Sequence, residues 1–184
     1  GIRDTELCLE FRRVLFRSPG KITASTATVT SRGSMDIKTN VTTLNATSKA
    51  GGVSVTEDDG LAVGSTGISA ANAAAITLTK GALTSVGGVI AGDSLSIKLL
   101  QAQVNAADNT IDVDTTANRI SASTAGGAIT IRNTKSFSID AAGITAGAAA
   151  NKNVSLTAVG AITNGTTAPN ATNGLAIAGG TIKA

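Results

Sequence analysis

The chain has 184 residues, no His, no Trp, no Tyr and three Phe, and its net charge of +3 is spread over singly placed residues. That length holds one domain, and the composition argues against whole classes of function. Without His no Ser has its usual general base, a zinc site would have to rest on the lone Cys8, and without basic stripes or aromatics nothing tracks a phosphate backbone or stacks on bases.

The first eighteen residues, GIRDTELCLEFRRVLFRS, stand apart. They hold Cys8, Phe11 and Phe16, and from Pro19 onward Gly, Asn, Ser, Thr and Ala take over. Leu7, Phe11, Val14 and Leu15 fall at helical spacing and allow a short helix. Arg12, Arg13 and Arg17 interrupt the apolar centre that a signal peptide needs. A third reading is preferred: CLEFRRVLFRS resembles translated sequencing-adapter read-through of metagenomic assemblies. On that reading 1–18 is a non-native leader and 19–184 is a fragment of a longer repeat chain.

The body repeats. Apolar-x-apolar triplets recur at Met35/Ile37, Val53/Val55, Ile76/Leu78, Leu95/Ile97, Ile111/Val113, Ile129/Ile131, Val154/Leu156 and Leu175/Ile177, with steps of 16 to 25 residues and a mean of about 20. Their β-branched and Leu residues alternate with Thr, Ser, Asp or Lys, which is the pattern of a half-buried strand. Between them lie turn pairs such as Gly51-Gly52, Gly87-Gly88 and Gly126-Gly127. A weaker apolar pulse follows most triplets, at Leu61/Val63, Leu83/Val86, Ile120, Phe137/Ile139, Ile162 and Ile182. Two or three short strands per turn predict an all-β fold, a right-handed parallel β-helix of about 20 residues per turn. Eight such turns would make a rod on the order of 40 Å long. A β-sandwich fits less well, because its wider core calls for aromatics. The Ala-rich stretches 70–75 and 146–150 are expected to be loops or tight corners.

The segment 153–184, NVSLTAVGAITNGTTAPNATNGLAIAGGTIKA, resembles the repeat region of filamentous-haemagglutinin-like adhesins and related β-strand-repeat bacterial exoproteins. The shared motif, xVxLTAxGAITNG, returns weakly as AITLTKGALTSVGG and GGAITIRNTKSFSID. The resemblance implies an extracellular or cell-surface stalk without catalysis, cofactor or metal, and a monomeric rod. It also implies host-surface or biofilm carbohydrate or protein as partners, reached through other parts of a longer chain. No nucleic acid and no membrane insertion are expected of this segment.

Candidate sites are few. Asp112 and Asp114 flank Val113, so on a strand they share a face about 7 Å apart. With Asp108 and Arg119 they suggest the alternative, a polysaccharide-active β-helix enzyme. Against it stands the simpler reading of a solvated outer face. Glu57-Asp58-Asp59 offers three carboxylates to calcium, but as an exposed acidic turn it needs no ion. Gly92-Asp93-Ser94-Leu95 only faintly matches a calcium-binding repeat. Thr26/Thr28/Thr30, Thr77/Thr79 and Ser121/Ser123 are read as ordinary strand polarity rather than an ice-binding row. Sequons at Asn40, Asn45, Asn153, Asn164 and Asn170 are near chance expectation.

Overall fold

A computed structural model describes residues 6–11, 16–101, 109–147, 153–165 and 181–183. Its strands are β1 (Glu6–Phe11), β2 (Phe16–Ser31), β3 (Met35–Ser48), β4 (Val53–Glu57), β5 (Leu61–Ala70), β6 (Ala73–Leu78), β7 (Leu83–Leu99), β8 (Ile111–Thr124), β9 (Ile129–Asn133), β10 (Phe137–Thr145), β11 (Val154–Ala158), β12 (Ile162–Asn164) and β13 (Thr181–Lys183). Every pairing among them is parallel. The chain is a β-solenoid: each inner strand is hydrogen-bonded to the strand one turn before and one turn after it, and β1, β12 and β13 to one neighbour each.

The registers resolve each turn into three legs. In the first leg, Met35, Val53, Ala74, Leu95 and Ile120 stack in one column, and Ile37, Val55, Ile76, Ile97 and Ala122 in the next. The second leg stacks Leu61, Leu83, Ile111, Ile129 and Val154. The third stacks Ala46, Ile68, Ile90 and Thr115. All of these side chains are buried, because alternation along each strand sends every second residue inward. The interior is narrow, and small aliphatic side chains fill it. Among the described residues Met35, Phe137, Glu57 and Asn133 are larger or polar departures from this filling.

The legs correct the simple reading of the repeat. The triplets at 35, 53, 76 and 95 lie on the first leg, whereas those at 111, 129 and 154 lie on the second. The true counterpart of Leu95 is Ile120, one of the weaker pulses. Eight triplets therefore do not mean eight rungs; the described residues make about six stacked turns, and Leu175/Ile177 lie outside them. Turn length varies widely: Ala27 sits beside Leu44, but Leu83 sits beside Ile111, 28 residues on. Part of the excess falls at the 85–88 corner, where the register shifts and the ladder then resumes. Val86 lies in that corner, 63% exposed rather than inward. The Ala stretch at 70–75 is partly strand, with Ala74 buried in the first column.

At the other end of the sequence, β1 is hydrogen-bonded beside 26–31 and β2 runs across position 18. The 6–11 segment is thus strand and not helix. An open ladder edge on Thr26–Ser31 offers its backbone groups a partner, and that outweighs a helical spacing of only four apolar residues.

Corners also need polar partners, and hydroxyls supply them. Ser48 Oγ donates to the Gly33 carbonyl (2.8 Å) and accepts the Gly51 N–H (3.0 Å). Thr124 Oγ1 repeats the device, donating to the Asn109 carbonyl (2.8 Å) and accepting from Gly126 (3.2 Å) and Gly127 (3.0 Å). In both cases a buried hydroxyl ends a strand three residues before a glycine, satisfying backbone groups that the turn leaves unpaired.

Candidate functional site

The outer face of the second leg carries Asp112 and Asp114, placed there because Ile111 and Val113 point inward. Asp112 lies between Thr84 and Thr130, and Asp114 is beside Arg132. Arg132 clamps both acids: Nε donates to Asp114 Oδ1 and Nη1 to Asp112 Oδ1, each at 2.6 Å. The two carboxylates hold the guanidinium above its ordinary pKa, Asp114 first and Asp112 second. One guanidinium placed across two acids offsets their mutual repulsion. The row through Asp112 continues as Ala62, Thr84, Thr130 and Ser155, short side chains of mixed polarity.

Arg119 does not join this group. It sits on the first leg beside Ser94 and donates through Nη2 to Asp93 Oδ2 at 2.7 Å. Asn118 Nδ2 also donates to Asp93, at 3.0 Å. Asn118 and then Arg119 hold that carboxyl below its usual range. Asp93 of the Gly92-Asp93-Ser94-Leu95 motif is thus occupied within the protein. Asp108 lies outside the described residues.

The acidic run also divides. Glu57 is wholly buried in the first leg, contrary to the exposed turn expected of it. Asp58 turns outward and pairs with Lys21 Nζ at 2.5 Å. Among the described residues no group of three acidic, His or Cys side chains is placed to hold a metal, and no helix is long and apolar enough to cross a membrane. The polar rows are interrupted: Thr77 lies between Thr56 and Lys98. Asn45 spends its amide on the Thr66 N–H (3.0 Å) and Thr28 Oγ1 (3.5 Å).

Arg132 and the inward placement of Glu57 were missed from sequence. Arg132 follows Asp114 by one turn of 18 residues, a spacing visible only once the register is known. Replacing Arg132 with Met should cost about 0.5–1 kcal/mol, since the pair is more than a third exposed and screened. Chemical denaturation at low and at ~1 M salt checks this, because the loss should shrink as the Debye length falls. An unchanged loss at high salt would assign it to packing of the Arg stem instead.

No family model matches this chain, and no curated protein or solved structure matches it either. What the fold supports on its own is a structural repeat protein.

Proposed function

We propose that this chain is a spacer: the β-helical stalk of an exported, surface-displayed, adhesin-like exoprotein, with no catalysis of its own. The observation that carries the reading is the outer face of the second leg. It presents Ala62, Thr84, Asp112, Thr130 and Ser155 in one row of mixed side chains, and its acids are already bound to Arg132. An enzyme for acidic polysaccharides needs carboxylates poised over a substrate groove and free to exchange protons. A spacer needs stiffness, which continuous backbone ladders and aligned apolar columns supply. The absence of Cys after position 8 suits a segment that crosses an oxidising compartment without mispairing.

Two measurements test this. Fused between a cell-surface anchor and a fluorescent tag, the segment should hold the tag roughly 30 Å farther out, from about six rungs of ~4.8 Å. Energy transfer from membrane dyes reads that distance, and an unchanged distance would sink the spacer reading. Incubated with acidic polysaccharides, the chain should release no reducing ends. Release that disappears in Asp112→Asn would make it an enzyme.

A further inference from the structure

Glu57 is the one fully buried carboxylate among the described residues. It continues the inward alternation of Val53 and Val55 and lies in a column between Thr39 and Leu78. Its oxygens face the corner where the first leg gives way to the second. The Val41 N–H reaches both of them, at 3.3 and 3.2 Å, and the Asp58 N–H reaches Oε1 at 3.0 Å. The Asp58 N–H is shared, since it also donates to the Thr39 carbonyl at 3.2 Å. The Asp59 N–H and the Thr39 hydroxyl are further neighbours, the hydroxyl with the Thr56 carbonyl as its own acceptor at 3.5 Å.

The charges around Glu57 sit outside this pocket. Lys21 of β2 is taken up by Asp58. Asp36 of β3 accepts from Ser54 Oγ on the outer face, and Lys38 is exposed on that same face. Asp59 lies at the corner, and Lys80 is exposed one turn on. The column neighbours Thr39 and Leu78 carry no charge. Among the described residues no cation pairs with Glu57, so an anion there would be buried with only the Thr39 hydroxyl and the Val41, Asp58 and Asp59 amides to offset its charge. A neutral carboxyl avoids the cost of an unpaired buried charge, with the Thr39 hydroxyl beside it.

We propose that the Thr39–Glu57–Val41 corner is a pH-responsive joint, in which loss of the Glu57 proton loosens the ladder between β3 and β4 and its return closes it. Burial, the largest influence, raises the carboxyl above its ordinary value of 4.5, and the hydrogen bonds from Thr39 and from the Val41, Asp58 and Asp59 amides only partly oppose it. A carboxyl raised in the folded state binds its proton at a pH where the unfolded chain has released it. Its stabilisation is therefore complete below 4.5 and is lost as pH rises through the higher folded value. The joint is tight while Glu57 holds its proton and slack once pH has risen past its folded titration.

The test uses the full chain. In a chain labelled at Glu carboxyl carbons, the Glu57 resonance should titrate above the peptide value of ~4.3. Titration at or below that value would overturn the proposal. Amide exchange, corrected for its intrinsic pH dependence, should show Val41 and Asp58 losing about tenfold protection as pH rises through the Glu57 titration, while Ile97 holds. Glu57→Gln keeps one acceptor for the amides and a donor for Thr39, so that loss should vanish in it. An equal loss in the variant would overturn the proposal. If Glu57→Gln does not fold, the carboxyl titration of the unaltered chain decides.

Discussion

Gly88→Ala is expected to cost about 3 kcal/mol or more, at the upper end of what overpacking a filled site produces. A Cβ on Gly88 would fall inside the radius of the Gly64 carbonyl oxygen, 2.8 Å from the Gly64 carbonyl carbon and 3.1 Å from Gly67 Cα. Every one of those atoms is backbone, so no rotamer relieves the clash. The crowding follows from the register. Between the second and third legs, β5 spends 64–67 on its corner and β7 spends 85–88, and these longer corners lie on successive turns. Gly67 meets the same crossing with φ +81°, its position set against the Val89 backbone. Urea denaturation should show a lower midpoint with an unchanged slope. Gly33→Ala is the control: a Cβ there meets nothing within 4 Å, so the change should stay within about 0.5 kcal/mol. Equal effects at the two glycines would refute the crossing.

Asn133→Ala should cost about 3–4 kcal/mol. Asn133 ends β9 and turns inward at 3% exposure. Its Oδ1 accepts from Thr115 Oγ1 (2.7 Å) and from the Ala117 N–H (3.0 Å), and its Nδ2 donates to the carbonyls of Ala117 (3.2 Å) and Lys135 (2.7 Å). Truncation strands several buried groups of the preceding turn, each worth about 1–3 kcal/mol when unsatisfied, with partial relief by relaxation. Since each turn contacts only its neighbours, the damage should be local. Amide exchange should accelerate in 137–158 far more than in 35–57. Uniform acceleration along the chain would refute a local corner role.

The stacking was legible because a narrow parallel coil needs β-branched and Leu residues at every second position on each turn, and the triplets carry that pattern. Which leg each triplet occupies was not legible. Ile111 and Leu95 look alike, and only the 28-residue interval from Leu83 to Ile111 separates their columns. Glu57 shows two local rules in conflict. Its charge assigns it to solvent, while alternation from Val53 and Val55 assigns it inward, and the structure follows alternation. Asp112 and Asp114 were correctly placed on an outer face. Arg132 could not be joined to them without the register, because contacts across turns have no fixed sequence spacing when corners vary in length.

That variability has a practical side. Corners of four residues, three more than the paired strand spends there, as at 64–67 and 85–88, already sit on ladders that resume register on either side of them. A foreign peptide grafted at the exposed 86–87 tip would hang from the wall without interrupting a rung, so the molecule offers a scaffold on which loops of different sizes can be displayed at fixed heights.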